Sequence, residues 1–117
     1  MNEISVTFKN RQMFRNFVSV QHHPILVELE LWFEERFGEP TVTSAFREGK
    51  TGVHSVIPLR GIDYRSHDYD DPKSIEEEIN KAWTYDPERS HLKCALFHDI
   101  GQGAHIHLQV HPNTRKI

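Results

Sequence analysis

Two apolar runs near the end of the chain, LKCALFHDI and AHIHLQVH, are separated only by GQG, and this spacing constrains the fold more than any other feature. A link that short joins antiparallel neighbours, so the pair predicts a hairpin and, with it, a mostly antiparallel sheet. In the second run His105, His107 and His111 all occupy odd positions. Alternate residues of a strand share one face of its sheet, which gathers these imidazoles on one side.

Upstream, ISVTF alternates like a short strand, while QMFRNFVSV fits a helix or a strand equally well. Residues 25 to 38, ILVELELWFEERFG, place Ile25, Leu26, Leu29, Trp32, Phe33 and Phe37 on one helical stripe. Pro24 suits the first turn of that helix and Gly38 its end. TVTSAF, 41 to 46, reads as a strand, followed by the polar loop REGKTG. VHSVIPLRGIDYRS, 53 to 66, is broken by Pro58 and Gly61 and predicts a loop entering a short strand at IDY. SIEEEINKAWTY, 74 to 85, is the clearest helix. Ser74 and Glu77 form an S-x-x-E capping box, Ile75, Ile79, Ala82 and Trp83 supply the apolar stripe, and the EEE run suits the helix's positive end. Two or three helices and about four strands predict an α+β fold, as one domain over residues 1–117.

Composition narrows the function classes. The net charge of −3 and the lack of a long basic run argue against a protein that lives on nucleic-acid phosphates. A single cysteine, Cys94, excludes an internal disulfide framework and, within LKCALF, reads as a buried thiol. The start of the chain carries no apolar core of signal-peptide length, and no run approaches a membrane span. The expectation is cytoplasmic synthesis, with no membrane or nucleic-acid partner and a monomeric state. The anomaly is nine dispersed histidines, a residue that both ligates metals and moves protons at neutral pH.

His105 and His107 would stand about 7 Å apart at their Cα atoms on one strand face. They could share a metal, or one could bind it while the other acts as acid or base, or both could belong to a solvated face. His54 and Asp63, in HSVIPLRGID, form a second candidate pair. Asp63 lies between Ile62 and Tyr64 and would point opposite those bulky neighbours. A carboxylate held inside a small domain needs a partner, for which a metal qualifies, whereas a surface aspartate after a glycine turn does not. Arg47 reads as a residue that caps the sheet edge and pairs with Glu48 or a helix carboxylate. His22 and His23 lead into the helix after Pro24, His67 lies in an acidic loop, and His111 before Pro112 is expected to fray into solvent.

In this order TSAFREG, VHSVIPLRGIDY and HIHLQV resemble the zinc metallopeptidases of the D-Ala-D-Ala type, a group of carboxypeptidases, dipeptidases, phage-lysin endopeptidases and murein endopeptidases. The resemblance spans residues 24 to 111 through short motifs. It implies Zn2+ held by His54, Asp63 and His107, with Arg47 stabilising charge on a scissile carbonyl. His105 corresponds to the first histidine of an H-x-H beside the metal water. It further implies hydrolysis of an amide bond in peptidoglycan stem peptides, as in a phage or prophage lysis enzyme released to the periplasm or wall by a separate route.

Three departures stand out. His54 and Asp63 are nine residues apart where seven is usual, and Gln109 stands where several relatives carry Asp. Ala104 occupies the place of a carboxylate base, so His105 takes over that work, Asp99 reaches in from the turn, or the site is inactive. The last case would leave a zinc-binding domain that holds a wall peptide or a partner. The H-hydrophobe-H motif also resembles that of single-stranded DNA nicking enzymes, which need a catalytic tyrosine from among Tyr64, Tyr69 and Tyr85.

Overall fold

A computed structural model describes residues 3–49, 51–99 and 104–117, except for the side chain of Asp99. The order of elements is β1 (Thr7–Phe8), α1 (Arg11–Val18), α2 (Pro24–Phe37), β2 (Thr41–Ser44), β3 (Gly61–Arg65), α3 (Pro72–Ala82), β4 (Trp83–Thr84), β5 (Ala95–Asp99), β6 (Ala104–Gln109) and β7 (Arg115–Lys116). The chain is α+β, as expected, with a five-stranded sheet ordered β1-β2-β3-β6-β5 and a separate β4–β7 pair. Among the described strands β1 and β2 run parallel, and a parallel bridge joins His22 and Leu59. The β5–β6 pair is antiparallel, and the GQG between them lies outside the described residues.

Local chemistry explains the helices. In α2, Pro24 occupies the first turn and the His23 ring accepts the Ile25 N–H, while Gly38 takes a φ of 91° at the far end. Leu26, Leu29 and Phe33 recur at helical spacing and are fully buried. The ambiguous QMFRNFVSV segment becomes α1 because Asn10 caps it, accepting the Met13 N–H. Helix α3 starts three residues earlier than the S-x-x-E box, with Ser74 as cap, predicts. Asp71 is its cap, accepting the Ser74 N–H, and Pro72 opens the first turn. It also ends sooner, at Ala82, because Trp83 and Thr84 leave the helix to pair with Lys116 and Arg115.

Strand alternation separates core from site. On one sheet face Ile62, Tyr64, Ile106 and Leu108 pack with Leu29, Phe33, Ile75 and Ile79 from α2 and α3. Cys94 is in this cluster, where burial pushes its thiol up to about 12 despite a contact with Thr114, consistent with a structural thiol. On the other face stand Asp63, His105 and His107. His111 does not fray: it accepts the Asn113 N–H, and its own N–H donates to Thr114 Oγ1 in the turn that leads to β7.

His22 ties α1 to α2. Its Nδ1 lies 2.6 Å from Glu30 Oε1 and its Nε2 lies 2.7 Å from the Phe17 carbonyl. Both partners only accept, so the ring satisfies both as the imidazolium. Burial alone would lower its pKa, but the Glu30 carboxylate and the Phe17 carbonyl outweigh burial and raise it. A raised folded-state pKa gives stability that is fully present below the ordinary histidine range and is lost as pH rises through the raised value. Glu30→Gln should therefore cost about 1–3 kcal/mol in urea unfolding at pH about 6, a gap that closes in alkaline solution. An equal gap at both pH values would contradict the charged pair.

Candidate metal centre

Antiparallel pairing of β3 with β6 sets Asp63 directly opposite His107, and Arg65 opposite His105. The β2–β3 register shifts between Val42 and Ser44, which brings Ser44 opposite Asp63. His54 arrives from a loop rather than a strand. Its carbonyl accepts the Arg47 N–H, and the neighbouring Val53 carbonyl accepts the Arg60 N–H, so both flanks of the loop are fixed to the sheet. Gly61 lets that loop approach: a Cβ there would stand 2.3 Å from Val53 Cγ2.

These constraints bring His54, Asp63 and His107 together as a group that could hold a metal ion. His54 Nε2 lies 3.3 Å from His107 Nδ1 and 3.4 Å from Asp63 Oδ1, and His107 Nδ1 lies 2.8 Å from the same oxygen. Tetrahedral ligands at ordinary zinc bond lengths would be separated by about 3.3 Å. The outer nitrogens are already committed. His54 Nδ1–H donates to the Ala45 carbonyl at 2.9 Å, and His107 Nε2–H donates to Gln109 Oε1 at 3.0 Å. The inner nitrogens of neutral rings therefore turn lone pairs toward each other and toward a carboxylate. Three such acceptors repel unless positive charge lies among them, either as protons on the inner nitrogens or as one cation. Burial alone would raise the Asp63 carboxyl, but hydrogen bonds from His107 and His54 and their charge outweigh it and hold the group well below the usual carboxylate range. Asp63 is thus an anion at working pH.

The group forms part of the wall of a cleft of about 380 Å3, completed by Arg47, Leu96, His98 and His105. Arg47 donates to Ser44 Oγ at 2.8 Å and to Asp63 Oδ2 at 3.4 Å while half its side chain stays exposed. His105 Nε2 lies 3.9 Å from Asp63 Oδ2. A larger groove of about 590 Å3 beside Phe17, His22 and Val27 holds no such trio among the described residues.

Of the six residues singled out from sequence, the five other than Asp99 meet in this cleft. Asp99 ends β5 opposite Ala104, and its side chain lies outside the described part of the structure. Sequence reasoning missed His98, which pairs with His105 across β5 and β6, their ring centroids 5.4 Å apart. The available signal was the hairpin itself, since folding about GQG brings position 98 close to 105 and 106, and the observed register sets it against 105. Ser44, which meets the cleft through Arg47, was also hidden, and Gln109 beside His107 reads from sequence only as a departure from related motifs. Among the described residues no tyrosine lines this cleft: Tyr64 points the other way and packs on Phe33 in the core. Comparison with protein-family models, curated proteins and solved structures finds no match, so function is read from the geometry of the site and the motif order.

Gly61→Ala should drive Val53 outward and move His54 with it. The expected cost is about 1–3 kcal/mol in urea unfolding, as for other overpacked sites, together with weaker metal uptake. An unchanged unfolding midpoint would mean that the close approach carries no structural weight.

Proposed function

We propose that the chain is a zinc-dependent hydrolase of an amide bond in peptidoglycan stem peptides. The observation that carries this reading is the convergence, in one cleft, of two imidazole nitrogens and a carboxylate with Arg47, His98 and His105 beside them. The likeness to D-Ala-D-Ala-type metallopeptidases assigns the metal and substrate roles to the same residues, His98 excepted, from their order alone. Two nitrogens and one oxygen suit zinc and leave a fourth position open, which distinguishes catalytic zinc sites from closed structural ones. Bound zinc supplies a Lewis acid for the carbonyl and a water acidic enough to ionise near neutral pH.

The protein's own groups complete the chemistry. Arg47, held by Ser44 and Asp63, offers its guanidinium to the carbonyl oxygen as charge builds there. With alanine at 104, His105 Nε2 is the group beside Asp63 that can take the proton of the attacking water and pass it to the leaving amine. His98 stands against the His105 ring and steadies it. Ala104 also favours a second reading, a zinc-binding relative that holds a wall peptide without cutting it.

Defined muropeptides incubated with the zinc-loaded protein and followed by mass spectrometry test the hydrolase directly. New amino and carboxyl ends should appear, and a chelator should abolish them. Arg47→Ala should lower kcat by roughly 10²–10³ without loss of zinc. Intact muropeptides in the presence of one bound zinc would eliminate the hydrolase and leave the binding reading.

A further inference from the structure

The outer nitrogen of His107 meets the side chain of Gln109, which lies outside the His54, Asp63 and His107 trio. Gln109 follows His107 by two residues on β6, so both side chains emerge on the same sheet face. Its Nε2 donates to the Lys93 carbonyl at 2.8 Å, just before β5 begins. A carbonyl can only accept, which orients the amide and turns Oε1 toward His107. Oε1 can only accept in turn, and it lies 3.0 Å from His107 Nε2. With a cation among the inner atoms, the proton of a neutral ring sits on Nε2, and Nδ1, which otherwise hydrogen-bonds Asp63 Oδ1 at 2.8 Å, faces His54 and Asp63 as a lone pair.

We propose that Gln109 is a positioning residue of the metal centre: anchored by the Lys93 backbone, it holds His107 in the tautomer and ring orientation that ligate through Nδ1. The inference rests on the metal-site reading above. The Lys93 carbonyl belongs to the chain entering β5, so pairing of the two hairpin strands is transmitted through one amide to the choice of ligating atom. Outer partners of ligating histidines typically carry 10–100-fold in metal affinity. Gln109 would do here, as a neutral amide, what a carboxylate does in the carboxylate–histidine–zinc arrangement.

Two substitutions separate positioning from simple structural support. Gln109→Met and Gln109→Glu both lose the N–H that reaches Lys93, so a purely structural role predicts equal damage. Only Gln109→Glu keeps an acceptor for His107 Nε2–H. Zinc affinity of the full chain, measured by competition with a chromophoric chelator, should fall about 10–100-fold in Gln109→Met and stay at or above the wild-type value in Gln109→Glu. In the zinc-loaded wild type, the His107 Nε2–H proton should be visible by NMR and slow to exchange, and it should broaden or vanish in Gln109→Met. Wild-type affinity in Gln109→Met, or equal losses in both variants, overturns the positioning role while leaving the metal site intact. Failure of the wild type to bind zinc overturns the metal site, and the positioning role falls with it.

Discussion

The register between β3 and β6 is the constraint on which the rest of the structure depends. Asp63 faces His107 only because Ile62 faces Leu108 and Tyr64 faces Ile106 on the other side of the same two strands. A slip of one residue would turn the core residues to the cleft and bury the histidines against α2 and α3. The apolar packing that stabilises the domain therefore also fixes the spacing of the charged groups. A site on paired central strands inherits the rigidity of the core beneath it, which a set of loop residues would lack.

That rigidity is what gives the cluster chemical meaning. His54, Asp63 and His107 are held with their inner atoms within 3.4 Å of one another, while the Ala45 carbonyl and the Gln109 amide occupy the outer nitrogens. The arrangement calls for positive charge at its centre, as protons on the inner nitrogens or as one cation, and Arg47 meets only the outer oxygen of Asp63. The open side of the cleft carries His98 and His105. Helices and core explain why the site exists, and its three converging acceptors explain why it could hold a metal ion.

Much of this was legible from residue order because a strand has period two. Asp63 between Ile62 and Tyr64, and His105 and His107 around Ile106, declare their common face without any knowledge of the fold. Other features depend on facts that no local window contains. His98 gains its role from pairing across a turn, and Gln109, which reads from sequence only as a departure from related motifs, gains its role from a backbone carbonyl sixteen positions away. His54 is set by the loop that Gly61 admits rather than by any periodicity. β1, β4 and β7 span two residues each, too short to leave a pattern. The capping box in SIEEE misplaces the start of α3 because Asp71 and Pro72 offer a stronger beginning just upstream.

The most direct measurement is the metal content and zinc affinity of the wild type against His54→Ala, Asp63→Ala and His107→Ala, with circular dichroism confirming that each variant is folded. One equivalent of zinc in the wild type is expected, with affinity reduced more than about 100-fold in every variant, beyond what outer partners alone carry. A folded wild type without stoichiometric zinc, or three folded variants that all retain it, would contradict the metal centre.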